Sequence, residues 1–277
     1  MIKYVLAICC MPFLHAEIKV IVSDLGFVVV EPHTLHLARE LGISDCMGFI
    51  LGGNTPQNLR ELMYFVLTHA GGEQYEQDPE LQMRDNVGNV VPQLFVEWQK
   101  GTMKTSHIRQ LAHKSLKYLR QQNFFTHKRD YAIVKRCIRA TFTPHILANN
   151  MRPSKEGVKL LNLLAQEGKY DFYIFSNWDA ESFEEFSHSS EVQEEVLKFF
   201  PLEHIMTSGM YGIAKPSREF FMFFLSSYNL KPEECLLIDD QEENIAMARN
   251  LNMHTLKWNK KRYKKIIKQL RQNNILS

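Results

Sequence analysis

Five short apolar runs, scattered along the chain and ending in or beside polar residues, constrain what this sequence can fold into more than any other feature. Glu17–Asp24 (EIKVIVSD) is rich in β-branched residues and breaks at Asp24-Leu25-Gly26. Tyr170–Ser176 (YDFYIFS) stops at Asn177, and Cys235–Asp240 (CLLIDD) stays apolar until two consecutive acids. His204–Ser208 and Met253–Trp258 are the shorter members of the set. Helical periodicity fills the spaces between the last four, over Ala180–Phe200, Pro216–Asn229 and Gln241–Asn250. Near-continuous apolar strands alternating with helices predict a parallel sheet covered on both faces, an α/β architecture. Ligands in such sheets bind where the strands end.

The interval between the first two strands is too long for one crossover. Residues 31–152 hold several helical patterns, among them Thr55–Ala70, Thr105–Gln122 and Lys128–Ala148, which is enough for an inserted helical subdomain. Residues 71–93 are polar and glycine-rich and read as a long loop within it. Ser154–Gly168 then returns as an amphipathic helix, with Ser154 as N-cap and Gly168 at its end. The expected division is a core from residues 17–30 and 153–277, with a helical insertion over residues 31–152. With 45% hydrophobic and 23% charged residues in 277, the chain can build a sizeable core, and global disorder is excluded.

The two ends are compositionally distinct. Met1-Ile2-Lys3 precedes a charge-free apolar run from Tyr4 to Leu14, with Ala16 at a cleavage-like position. Residues 1–16 thus have the outline of an export signal, which would make the protein periplasmic or secreted; the run is too short to span a bilayer. Pro12 and Leu14 argue against cleavage, and a buried first strand or a misassigned start are the other readings, with a cytoplasmic location. Cys46, Cys137 and Cys235 are far apart and form no metal-binding or disulfide pattern. Seven of the 33 basic residues, and no acid, fall in residues 259–277. Tyr263, Ile266, Ile267 and Leu270 lie there at helical spacing, which predicts a terminal helix docked on the sheet edge with its lysines outside. The alternative is a contact with an anionic surface; no recognition motif for nucleic acid accompanies it, and none is expected as partner.

Four polar clusters fall at or just after strand ends: Asp24-Leu25-Gly26, Ser176-Asn177, Lys215-Pro216, and Asp239-Asp240 with Asn244. Each alone has an ordinary explanation as a turn, a cap or a first helical turn. Together, converging on one rim, they describe phosphoryl chemistry. A carboxylate is a nucleophile towards phosphorus once cations balance the charge. Asp24 and Asp240 offer oxygen ligands to Mg²⁺, Ser176 a hydrogen bond to a phosphoryl oxygen, and Lys215 a compensating point charge.

This set resembles the haloacid dehalogenase superfamily, in the branch with a helical cap inserted after the first motif. VIVSDLGFV matches motif one, YIFSNWDAESF motif two, SGMYGIAKPSREFF motif three and CLLIDDQEENIAMARNLNMHT motif four. The resemblance implies a Rossmann-like core with an α-helical cap, Mg²⁺ as cofactor and a small phosphorylated metabolite as substrate. It implies Asp24 and Lys215 as catalytic residues and Ser176, Asn177 and Lys215 as substrate-binding residues. Asp24, Asp240 and the Gly26 carbonyl would be metal ligands, supported by Asp239 and Asn244.

Two departures matter. Phosphatases of this family usually carry an acid–base Asp two residues after the nucleophile, where this chain has Gly26, and losing such a group typically costs about 10²–10⁴ in rate. Phe27 stands where the family commonly has Gly. The expected activity is therefore phosphate monoester hydrolysis through an aspartyl phosphate, weakened at Gly26 and favouring good leaving groups. The alternatives are a catalytically impaired binding or interaction protein and, with less support, a metal-independent dehalogenase. His33 and His36 are candidates to reach the substrate from the insertion, whereas His107, His188 and His204 read as surface or helix residues. Trp98-Gln99-Lys100-Gly101 reads as packing within the insertion.

Overall fold

The computed structural model describes residues 17–71, 83–85 and 88–277. The export-like segment 1–16 and most of the loop expected over 71–93 lie outside the described residues. Seven strands are described: β1 (Val20–Ser23), β2 (Val30–Pro32), β3 (Met151–Pro153), β4 (Asp171–Ser176), β5 (Ile205–Thr207), β6 (Cys235–Asp239) and β7 (His254–Lys257). Five form a parallel sheet in the order β5-β4-β1-β6-β7, so the strand leading to Asp24 is central. All five expected strands are present, trimmed at their ends.

The apolar runs are continuous because both faces of the sheet are buried. In β1, Val20 and Val22 face one hydrophobic cluster and Ile21 the other. In β4, Tyr173 and Phe175 pack with the first pair while Phe172 and Ile174 pack with Ile21. Register then fixes what meets at the rim. Ser23 pairs with Ile174 and Ile238, and the Asp24 N–H donates to the Ile238 carbonyl at 2.9 Å. The next residues on the three strands, Asp24, Phe175-Ser176 and Asp239-Asp240, therefore arrive side by side.

Between β2 and β3 lie α1 (Thr34–Leu41), α2 (Ile43–Leu51), α3 (Pro56–Gly71), α4 (Gln93–Gln99), α5 (Thr105–Gln121), α6 (Lys128–Thr141) and α7 (Pro144–Asn149). These helices share their own buried cluster, including Leu67, Leu94, Ile108, Leu116, Ile138 and Phe142. β2 and β3 pair antiparallel, Val30 opposite Pro153, where the chain leaves the core and returns. The pattern over Lys128–Ala148 is two helices because Pro144 disfavours helical backbone at Thr143 and starts a new first turn.

The core helices are α8 (Lys155–Gln166), α9 (Ala180–Ser187), α10 (Ser190–Glu195), α11 (Ser208–Tyr211), α12 (Arg218–Ser227), α13 (Glu242–Asn250) and α14 (Tyr263–Gln272). Ser154 caps α8 as expected, its hydroxyl accepting from the Gly157 N–H. The pattern over Ala180–Phe200 is divided at His188-Ser189, where Ser189 turns extended and restarts the chain as α10. α14 docks as the apolar stripe predicts: Ile266 and Leu270 are buried with Leu256 and Trp258, while Lys264, Lys265 and Lys268 stay exposed.

Candidate active site

Lys215 organises the rim. Its ammonium donates to Asp24 Oδ1 at 3.0 Å, to Asp239 Oδ2 at 2.7 Å and to the Phe175 carbonyl at 2.8 Å. All three of its N–H bonds are thereby used, as a lysine with 1% of its surface exposed requires. Burial pushes the ammonium towards the neutral form, but Asp239 and Asp24 more than reverse this and hold its pKa above the ordinary lysine value. Lys215 is positioned by Asn177. The Asn177 amide donates to the Lys215 carbonyl at 2.9 Å, and its oxygen accepts the Lys215 N–H at 2.8 Å. The side chain of Asn177, read from sequence as substrate-binding, thus holds the lysine in place.

Asp239 is saturated. Its Oδ1 accepts from the Gln241 N–H at 2.8 Å and from Asn244 at 3.0 Å, and its Oδ2 accepts from Lys215 and from Asn244 at 2.9 Å. Asp24, Asp239 and Asp240 nonetheless offer carboxylate oxygens that all lie within 4.8 Å of one another. Burial raises the Asp24 pKa despite Lys215 and a hydrogen bond from Ser176, with Asp239 adding to the rise. Asp240 is pushed up to about 7, by burial first and then by the charges of Asp24 and Asp239. Three acids against one ammonium leave an excess of negative charge that favours a cation.

The donor set fits a hard divalent ion such as Mg²⁺. With Asp239 fully hydrogen-bonded, Asp24 and Asp240 are the carboxylates suited to ligate, and Asn244 Oδ1 is buried with no partner, as an acceptor for a metal-bound water would be. Ser176 is buried beside Asp24, within reach of its carboxylate.

The turn after Asp24 is tightly bonded. The N–H groups of Val28, Val29 and Val30 all aim at the Leu25 carbonyl, and Phe27 donates to Val30 at 2.7 Å. At Gly26 a Cβ would meet nothing nearer than Asp24 Oδ2, 4.0 Å away. There is room for a side chain and none is present. Phe27 adopts a left-handed backbone (φ 58°), which costs a bulky residue about 1–2 kcal/mol.

Some expectations do not hold. His33 and His36 stack on each other at 4.0 Å and line a separate groove of about 930 Å³ with His145 and His188, whose walls include neither Asp24, Ser176, Lys215 nor Asp240. His204 ends a short 3-10 helix, half-buried, in keeping with its reading as a surface or helix residue, and stacks on Tyr173 at 3.9 Å. Sequence reasoning also missed Ser208. Its hydroxyl donates to the Gln99 carbonyl of the insertion at 2.6 Å and accepts from the Trp178 N–H at 3.0 Å, tying the insertion to the loop after β4. Two glycines hint at this close approach: a Cβ at Gly101 of the insertion would strike the Gly209 backbone, and one at Gly209 would strike the Asp179-Ala180 backbone.

Residues 75–252, well over half the chain, match the model of the haloacid dehalogenase-like hydrolases. The chain belongs to that family. A glyceraldehyde 3-phosphate phosphatase from Pyrococcus furiosus is 36% identical over 55 residues, a stretch spanning 20% of this chain and 23% of that relative. A HAD family enzyme from Bacteroides thetaiotaomicron superposes with a TM-score of 0.52 at 18% identity, covering 88% of this chain and 94% of the other. A magnesium complex of that enzyme gives 0.51 at 16% identity, over 87% and 93%. A dehalogenase with an intermediate complex also gives 0.51, at 14% identity, over 88% and 85%. At these identities the structural matches establish the HAD fold, a five-stranded parallel core with helices, and nothing finer.

Proposed function

We propose that this HAD-family protein hydrolyses a small phosphate monoester with Mg²⁺, through a phosphorylated Asp24. The observation that carries the reading is the buried Lys215 bridging Asp24 and Asp239 while Asp240 adds further charge beside them. Asp24, Asp240 and the Gly26 carbonyl would hold the ion, which when bound neutralises the carboxylate and phosphate brought together there. The magnesium complex of the structurally similar enzyme and the phosphatase name of the short sequence match accord with this.

One Asp24 carboxylate oxygen attacks phosphorus in line, and the bond to the leaving oxygen breaks with its electron pair leaving on that oxygen. Ser176 donates to an equatorial oxygen, and Lys215, held to one position by Asn177, offsets the developing charge as a point charge. Water then attacks the aspartyl phosphate at phosphorus, returning the carboxylate and releasing inorganic phosphate. No residue at position 26 protonates the leaving group, so acidic leaving groups react fastest. The helical insertion would act as the cap that sets substrate choice.

Steady-state hydrolysis of p-nitrophenyl phosphate, with Mg²⁺ and with EDTA, tests the reading on wild type and Asp24→Asn. Metal-dependent turnover, lost at least about 10³-fold in the variant, is expected. Folded wild type that binds Mg²⁺ but turns over no faster than Asp24→Asn would favour a binding scaffold disabled at Gly26.

A further inference from the structure

Phe27 is costly where it stands. Among the described residues, the other non-glycine positions with left-handed backbone are Asn123, Asn229, Asn252 and Asn274, the residue type that tolerates this conformation best. Phe27 alone is bulky. Nor does burial compensate, because 46% of its surface is exposed while Leu25, Val28 and Val29 on either side are buried in the core. The flanking anchors and the bonds to the Leu25 and Val30 carbonyls fix the backbone that carries the ring, so Phe27 presents an open aromatic surface on the turn after Asp24. Strain kept by a residue that gains little from packing points to function.

Gly26 gives that function a direction. Position 26 brings no acid beside Asp24 Oδ2, so the leaving oxygen must depart without a proton from that position. Phenoxides do this readily and simple alkoxides do not. We infer that the substrate class is aryl phosphates, with Phe27 as the surface against which the aryl group packs. The inference rests on the phosphatase reading for its phosphate half and on Phe27 for its aryl half.

Phenylphosphonate and methylphosphonate cannot be hydrolysed and so separate the two halves. Titration calorimetry of both, with Mg²⁺ present, would compare wild type with Phe27→Gly and Phe27→Leu. Wild type should prefer the phenyl compound by about tenfold or more. Phe27→Gly should bring the ratio to within about twofold, with Phe27→Leu between them. Relief of the strained backbone should raise the thermal midpoint of Phe27→Gly by about 2–4 °C. Equal binding of both ligands to wild type, or an unchanged ratio in Phe27→Gly, would overturn the aryl assignment alone. A fall in thermal midpoint with both affinities lost together would make Phe27 a packing residue and overturn it too. If neither phosphonate binds, the phosphate reading fails and takes this inference with it.

Discussion

Gly26 and Asp240 are the residues whose surroundings most directly set the chemistry. The φ of Gly26 lies outside the left-handed range and its Cβ position is open, so the backbone accepts a residue with a side chain there. Gly26→Asp should raise kcat/KM for an alkyl phosphate by about 10²–10⁴, and change an aryl phosphate far less. A plot of rate against leaving-group acidity should accordingly flatten. Together with Asp24 and Asp179, whose pKa values burial raises in the same direction, Asp240 contributes to the pH dependence. Its folded pKa of about 7 exceeds its ordinary 3.8, so the metal-free folded chain binds an extra proton across that window. That contribution to stability is complete below 3.8 and is lost as pH rises through about 7. The raised Lys215 pKa acts only above its ordinary 10.5, outside this range. Mg²⁺ competes with the Asp240 proton, so its thermal stabilisation should grow from pH 5 to pH 8. A shift that is flat with pH would separate Asp240 from the metal. The meeting of Asp24, Ser176, Lys215, Asp239 and Asp240 at one rim was readable from sequence, because each follows a strand end or opens a helix there. The hold of Asn177 on Lys215 was not, because its partner is the backbone of a residue 38 positions away.

At the scale of elements, helix α8 shows how packing overrides propensity. Gly157 lies inside it, where alanine would be intrinsically better by roughly 1 kcal/mol. A Cβ there would strike the Val28 carbonyl and the Val29 Cα, on the turn that follows the nucleophile. Gly157→Ala should therefore destabilise by about 1–3 kcal/mol in urea unfolding and lower turnover as well, since the clash pushes on that turn. Unchanged stability would mean the helix shifts freely. The five core strands were legible because burial on both faces leaves one unbroken apolar run per strand. The break at Thr143 was marked by Pro144 although apolar periodicity runs across it, whereas the break at His188 carries no such signal. β2 and β3 are three residues each, too short to carry a pattern, and their pairing depends on the chain leaving and re-entering the core at one place.

Over the whole molecule, two hydrophobic clusters back the parallel sheet and a third lies within the helical insertion, which is why a long helical interval between two strands was informative. How the insertion sits on the core was not legible, since the Ser208 hydroxyl meets the backbone of Gln99 and Trp178, groups that any sequence carries. The acidic rim and the basic C-terminal segment do different things. The rim gathers three carboxylates whose oxygens lie within 4.8 Å of one another, while α14 hides an apolar stripe beneath its lysines. The central claim is that Asp24 becomes phosphorylated, and acid quenching followed by intact-protein and peptide mass spectrometry reads this directly. After mixing with p-nitrophenyl phosphate and Mg²⁺, wild type should gain one phosphoryl group on the peptide containing Asp24, with no gain in EDTA or in Asp24→Asn. Sustained Mg²⁺-dependent turnover with no adduct at Asp24, or an adduct that survives Asp24→Asn, would contradict the account.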